Sequence, residues 1–209
     1  MERELKFLLD HVHLPALPND FHLAQPQPTL HLLDEYLDYR GQIHAAGWRL
    51  RRRRADGQPL RYTLKSAHAD AASGPLRERR EIERVPEHGD DLPLEIVAAL
   101  TEAGLDVPNL FDRLQVYLSL RQERRLAALF MGDAEVAQLS VDEVRAIAPA
   151  TDREHRWRGL EIEFLDSIPA ETQERAIGEL SAWFADQPGV SVGGEPKVDH
   201  GARLLAISI

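Results

Sequence analysis

Residues 48–66 read Trp48-Arg49-Leu50-Arg51-Arg52-Arg53-Arg54-Ala55-Asp56-Gly57-Gln58-Pro59-Leu60-Arg61-Tyr62-Thr63-Leu64-Lys65-Ser66. Ala55-Asp56-Gly57-Gln58 is a turn signal, and its flanks alternate, so the stretch predicts a β-hairpin with strands Trp48–Arg54 and Leu60–Ser66. Side chains on a strand point alternately to its two faces. Arg49, Arg51 and Arg53 therefore share a face, and Arg61, Thr63 and Lys65 share it across the hairpin. Trp48 and Tyr62 turn the other way, where packing beneath helices is expected.

Outward from the hairpin the same pattern recurs. Glu2, Glu4 and Lys6 share a face; so do Arg79, Glu81 and Glu83; so do Glu161 and Glu163, flanked by apolar Leu160, Ile162 and Phe164. For any one strand, a solvated sheet face is the simpler explanation of such alternation. Solvated faces, however, mix signs to limit repulsion. Here Arg49 and Arg51–Arg54 repel one another unless an anion compensates, and Glu2 with Glu4 or Glu161 with Glu163 repel unless a cation does. A metal-complexed polyphosphate supplies both. Guanidinium and ammonium groups bind phosphate oxygens, and carboxylates hold hard ions such as Mg²⁺ or Mn²⁺. A sheet closed on itself would turn these faces inward and make a polar-lined tunnel.

The remaining chain reads as further strands with few helices. Strands are expected at Thr29–Tyr39, Leu76–Val85, Leu114–Phe130, Val136–Val144 and Arg158–Leu165. A short helical or turn connection is expected at Gly41–Gly47, a loop at Ala67–Gly74, and a helix at Leu94–Ala103 ending at Gly104. A second helix, Ala170–Asp186, stops at Pro188-Gly189, and the tail Gly193–Ile209 ends apolar. The pattern gives an antiparallel α+β class in one domain, residues 1–209.

Composition narrows the function. The 209 residues carry no cysteine, which excludes disulfide frameworks, thiol catalysis and cysteine-bound zinc. No signal peptide or membrane-length apolar run is present, so a cytoplasmic location is expected and no membrane partner. A net charge of −10 argues against nucleic acid as a partner. There is no phosphate-binding loop of the G-x-x-x-x-G-K type and no histidine pair at metal spacing among the nine histidines. The chain holds 25 basic residues, yet only Lys6, Lys65 and Lys197 are lysine. In so arginine-rich a chain, each lysine marks a place where a compact ammonium is wanted.

These segments together resemble the CYTH superfamily of triphosphate tunnel metalloenzymes. Glu2-Arg3-Glu4-Leu5-Lys6 matches its E-x-E-x-K signature, and Tyr36-Leu37-Asp38-Tyr39 resembles its tyrosine–aspartate strand end. Gly47-Trp48-Arg49-Leu50-Arg51-Arg52-Arg53 resembles its G-x-x-L-R-x-R segment. Thr63-Leu64-Lys65 matches T-x-K, Arg79-Arg80-Glu81-Ile82-Glu83 resembles R-x-E-x-E, and Glu161-Ile162-Glu163 matches E-x-E. Arg121–Arg124 falls on a basic strand, Leu139-Ser140-Val141-Asp142 on a strand ending in aspartate, and Lys197 at a C-terminal lysine. All three lysines fall on motif positions. Gln138, Pro196 and Tyr39 depart from the usual glutamate, serine and threonine.

The resemblance implies an eight-stranded antiparallel β-barrel, or tunnel, with a few flanking helices, and metal-dependent hydrolysis of a triphosphate. Inorganic tripolyphosphate, cleaved to pyrophosphate and phosphate, is the expected substrate, with Mg²⁺ or Mn²⁺ as cofactor. Lys6 and Glu4 would be catalytic. Lys6, Arg51, Arg53, Lys65, Arg79, Arg121, Arg124 and Lys197 would bind phosphates, with either Arg121 or Arg124 as the motif arginine. Glu2, Glu4, Glu81, Asp142, Glu161 and Glu163 would hold metal. Thiamine triphosphatase or adenylate cyclase activity, or binding of polyphosphate without turnover, are the alternatives. The carboxylates favour an enzyme, since anion binding alone gains nothing from them. Some members carry a helical CHAD domain, so fusion to or association with one outside this chain is also implied.

Overall fold

The computed structural model describes residues 2–11, 14, 16–66, 76–79, 81–193 and 195–207, with backbone alone for Glu2 and 76–79. The expected loop Ala67–Gly74, the histidines His13 and His68, and Arg80 lie outside the described residues.

The strands are β1 (Glu2–Leu9), β2 (Phe21–Leu23), β3 (Leu30–Asp38), β4 (Trp48–Ala55), β5 (Arg61–Ser66), β6 (Leu76–Arg79), β7 (Glu81–Arg84), β8 (Gln115–Met131), β9 (Ala134–Ala148), β10 (Arg153–Phe164) and β11 (Val190–Val192). The helices are α1 (Gln42–Ala45), α2 (Leu94–Glu102), α3 (Val107–Phe111), α4 (Ala170–Ala185) and α5 (Lys197–Leu204). All described strands join one sheet in the order β11-β1-β10-β9-β8-β3-β4-β5-β7, with β2 on β8 and β6 on β1. Every pairing is antiparallel. The α+β class expected from the sequence is what the chain adopts.

Among the described residues the sheet holds eleven strands where the resemblance implied eight, and its ladder runs as an open path. The described residues of the strand expected at Leu76–Val85 change partner along its length: 76–79 pair β1, with Glu2 opposite Arg79, and 81–84 pair β5, with Lys65 opposite Glu81. Each half uses one neighbour, at opposite ends of the sheet order.

Local sequence explains the connections. Gly57 turns the β4–β5 hairpin at φ 68°, a left-handed conformation open to glycine without a Cβ clash, and Gln58 N–H donates to the Ala55 carbonyl at 3.1 Å. Gly104 ends α2 at φ 85°, with Leu105 N–H donating to the Leu100 carbonyl. The Asp38 carboxylate accepts the N–H groups of Tyr39, Ile43 and His44, so the aspartate that ends β3 anchors the short α1.

Helices cover the outer sheet face in two places. Helix α4 packs Leu180 and Phe184 on Leu5, Phe7, Leu139 and Ile162; the Phe7 and Phe184 ring centroids lie 5.2 Å apart. Helices α2 and α3 pack Ile96, Leu100 and Leu110 over Leu37, Leu50, Tyr62 and Leu64. Tyr62 and Trp48 thus join an apolar layer, as their strand parity requires. With Leu5 and Phe7 committed outward, Glu4 and Lys6 must face the other side. On that inner side, α5 sets Val198, followed by Leu205, against Leu118, Leu120, Val144 and Ala146. No helix among the described residues is long and apolar enough to cross a membrane.

The α4 contact fixes the two strands that present the inner carboxylates, so its loss should be felt globally. Phe184→Ala is expected to destabilise the fold by about 3–5 kcal/mol, the usual cost of emptying a buried aromatic site. Equilibrium urea unfolding, with the m-value unchanged, checks it.

Candidate active site

The inner face encloses a cavity of about 340 Å³. Among the described residues, seven cationic side chains line it: Lys6, Arg49, Arg51, Arg53, Lys65, Arg124 and Lys197. Six carboxylates join them: Glu4, Asp34, Glu81, Glu83, Glu161 and Glu163. Each arrives by strand parity, from β1, β3, β4, β5, β7, β8 and β10, except Lys197, which opens helix α5.

Glu161 is the meeting point. Its Oε1 lies 3.0 Å from Lys6 Nζ, and its Oε2 accepts from Lys197 Nζ at 2.8 Å and Arg124 Nη2 at 3.0 Å. Burial would raise its pKa, but Lys197, Lys6 and Arg124 outweigh that and hold it well below the ordinary glutamate range. Wholly buried Asp142 stands behind. It accepts Arg124 Nε at 2.7 Å and Nη2 at 2.8 Å, and Lys197 Nζ at 2.5 Å. Its pKa is likewise lowered, Lys197 and Arg124 overcoming desolvation.

A second cluster forms on the hairpin wall. Arg53 grips Asp34 with Nε at 2.6 Å and Nη2 at 2.7 Å, while Gln122 Nε2 donates to Asp34 at 2.7 Å. Burial pushes the Asp34 carboxyl up, but the Arg51 charge and the Arg53 bonds bring it down to about 2. Arg51 Nη2 donates to Thr63 Oγ1 at 2.8 Å, and Lys65 Nζ lies 2.8 Å from Glu81. Tyr36, on the cavity wall, is pushed up to about 12 by burial and by Asp34, so it stays a neutral donor.

Arg51, Arg53 and Lys65 therefore form one wall, as the hairpin reading requires. Arg52 and Arg54 point outward, to Glu35 at 2.9 Å and Asp90 at 3.1 Å. Arg124, not Arg121, lines the cavity. Arg121 is odd in register where Arg124 is even, and its exposed side chain lies on the outer face. The side chains of Glu2 and Arg79 lie outside the described set; their backbones are opposed across β1 and β6.

Oxygen donors of the kind hard divalent ions prefer are present. Glu4 and Glu163 stand directly opposite on β1 and β10, and among the described residues buried Glu4 Oε1 has no hydrogen bond, with the Lys6 ammonium 3.0 Å away. Like charges so placed repel without a cation. Among the described residues no three histidine or carboxylate side chains converge into a ready cage. Lysine and arginine groups occupy the space between the carboxylates. The donor chemistry fits a divalent ion once an ammonium yields its place.

The sequence left several site residues unassigned. Asp34 is isolated in the chain, and only the β3–β4 register, Asp34 opposite Arg53, reveals it. Arg49 and Glu83 shared the charged faces of their strands and carried a legible signal. Arg49 Nε donates to Asp199 of α5 at 2.9 Å, and Glu83 takes Arg61 at 3.0 Å.

The geometry defines an antiparallel-sheet protein with a charge-lined inner cavity. A sequence profile of the CYTH domain matches residues 1–179, and the chain belongs to that family. Among solved structures it is similar to HpAC1 of Hippeastrum, a candidate adenylyl cyclase whose structure is described as revealing a dominant triphosphatase activity. The two share 17% identity at a TM-score of 0.59, over 97% of this chain and 96% of that one. It is also similar to the PH1819 protein of Pyrococcus horikoshii OT3, with 15% identity and a TM-score of 0.53 over 100% of both chains. At these identities the likeness concerns the fold. Comparison with curated proteins returns no match.

The two sets of hairpin arginines should respond differently to truncation. Arg53→Ala strips the bidentate partner from a buried carboxylate and is expected to cost about 3 kcal/mol. Arg52→Ala removes a surface pair worth about 1 kcal/mol or less. Thermal melts of both variants, with titration calorimetry against tripolyphosphate, should show Arg53→Ala alone losing both stability and binding.

Proposed function

We propose that this protein is a divalent-metal-dependent triphosphatase of the cytoplasm. One tunnel domain spanning residues 1–209 would hydrolyse inorganic tripolyphosphate to pyrophosphate and phosphate. In this reading the sheet curves into a tunnel, which is supported by 76–79 pairing β1 and 81–84 pairing β5, near opposite ends of the sheet order. The observation that carries the proposal is the near balance of charge in the cavity, where seven cations and six carboxylates interleave among the described residues. A bare polyanion would meet the carboxylates, and a bare metal the arginines. A metal–triphosphate complex presents both a cation and an anion, and so satisfies both sets of side chains.

The residues then have separable tasks. Arg51, Arg53 and Lys65 hold phosphate oxygens from the hairpin side, Arg53 oriented by Asp34 and Arg51 by Thr63. Arg124 and Lys197, fixed by Asp142 and Glu161, present cationic donors from the other side. Glu4, Glu161 and Glu163, with Glu2, Glu81 and Asp142 as the further carboxylates of the set, would hold Mg²⁺ or Mn²⁺, which neutralises phosphoryl charge and orients the attacking water. Lys6 sits between carboxylates and substrate, where its ammonium can pass from Glu4 and Glu161 to a phosphoryl oxygen. Phosphoryl transfer asks little covalent chemistry of the protein, so these preorganised charges supply the catalysis.

Phosphate release from tripolyphosphate, ATP and thiamine triphosphate should be fastest for tripolyphosphate, should need added Mg²⁺ or Mn²⁺, and should stop in EDTA. Tight binding of tripolyphosphate without release would assign a storage or sensing role; release of cyclic nucleotide from ATP would assign a cyclase.

Lys6 offers a sharper test. Lys6→Arg keeps the charge, but a planar fork cannot occupy the gap between Glu4 and Glu161 as a compact ammonium does. The expected result is an unchanged melting temperature and kcat lowered by roughly 10–100-fold, the scale of a misplaced catalytic group. A nearly silent Lys6→Arg would reduce the lysine to a counter-ion for the glutamates.

A further inference from the structure

Between the two helix layers, part of the outer sheet face carries no helix among the described residues. A groove of about 710 Å³ crosses β4, β3, β8, β9 and β10 there. Its floor is backbone of the row Leu32, Gln122 and Val144, whose buried side chains turn inward. Its walls are the rows of outward side chains on either side, and strand register orders them. One wall runs Arg54, Leu33, Arg121, Arg145, Arg156 through successive pairings. The other, two residues further along each strand, runs His31, Glu123, Glu143, Arg158.

Like charges therefore stand directly opposite on neighbouring strands: Arg121 beside Arg145 beside Arg156, and Glu123 beside Glu143. On an isolated face that arrangement is unfavourable. Neighbours relieve it in part. Arg145 donates to Glu154 at 2.6 Å, Arg156 lies 3.5 Å from the same carboxylate, and Arg158 lies 3.8 Å from Glu143. Arg121 and Glu123 make no hydrogen bond or ion pair among the described residues.

We propose that this face joins two copies of the chain about a twofold axis running along the groove. Rotation about that axis exchanges the walls, so Arg121 and Arg145 of each copy lie over Glu123 and Glu143 of the other, and the like-charged overlap is confined to the outermost position, Arg156 over Arg158. A polyanion in the groove would meet Glu123 and Glu143, and a polycation would meet the arginines. Only a surface bearing both rows in opposed order satisfies both, and the chain's own face is such a surface. An interface of this kind is isologous and closes at two copies. Five strands at about 4.8 Å spacing span only about 19 Å, so the dimer belongs with small, weak, salt-sensitive interfaces. The inference is independent of the catalytic reading, since none of these residues enters the cavity.

Sedimentation velocity tests it. At about 0.1 M salt, where screening confines charge effects to about 10 Å, the local walls outweigh the distant net charge, and the wild-type chain should dimerise. Near 1 M, with a screening length of about 3 Å, the dissociation constant should rise at least about tenfold. Arg121→Glu with Arg145→Glu makes both walls acidic, and Glu123→Arg with Glu143→Arg makes both basic. Each double variant alone should be monomeric, and an equimolar mixture should re-form a dimer. The proposal is overturned by a wild-type monomer at 0.1 M salt, by a dimer indifferent to salt, or by folded variants that stay apart when mixed. Circular dichroism reports folding; should a double variant not fold, the wild-type salt series decides alone.

Discussion

The rest of the inner face depends on the carboxylate of Glu161. It is half-buried among cations from three elements, Lys6 of β1, Arg124 of β8 and Lys197 of α5. A buried ion pair adds little net stability when complete, yet losing one partner leaves an uncompensated charge in a poorly solvated place, at about 3–5 kcal/mol. Strand register, helix docking and charge placement are thereby tied together. A one-residue slip of β10 would turn Glu161 and Glu163 outward and drive Ile162 into the cavity. The outer layer resists that slip, because Ile162 and Phe164 pack beneath α4.

Much of this arrangement was legible in the chain because period-two alternation survives folding. The hairpin at 48–66, the face shared by Glu4 and Lys6, and the pair Glu161 and Glu163 follow from parity alone. The scarcity of lysine was a second signal: Lys6, Lys65 and Lys197 all reach the cavity. What parity does not give is which strand lies beside which. Asp34 becomes a site residue only because β3 runs antiparallel to β4 with Arg53 opposite. Arg121 and Arg124 could not be separated until the register of β8 was fixed. The change of partner along 76–84, from β1 to β5, is likewise invisible to parity, since its residues alternate smoothly while its neighbours change. Helix α5 was read only as an apolar-ending tail. Its eight residues include Gly201 and begin after Pro196, which masks a helix whose stability comes from Val198 and Ala202 in an apolar seat.

That helix changes how the site is understood. The family profile ends at residue 179, yet Lys197, one of the three cations on Glu161, comes from beyond it. Two kinds of contact hold α5 in place. Apolar packing of Val198 and Leu205 supplies most of the binding, being proportional to area and indifferent to direction. The Arg49–Asp199 bond at 2.9 Å supplies direction, fixing the rotation of the helix about its own axis and hence the approach of Lys197. Gly201 leaves the space this docking needs; a Cβ there would come within 3.3 Å of Ala146 and Leu118. Arg49 thus belongs to the hairpin's charged face by parity but serves the cavity at one remove, by positioning the helix that carries Lys197. The hairpin whose sequence decides the fold also orients the last cation of the cavity, which is why its inward arginines at 49, 51 and 53 are not equivalent: Arg53 and Arg51 are committed to Asp34 and Thr63 within the sheet, and Arg49 to the helix that completes it.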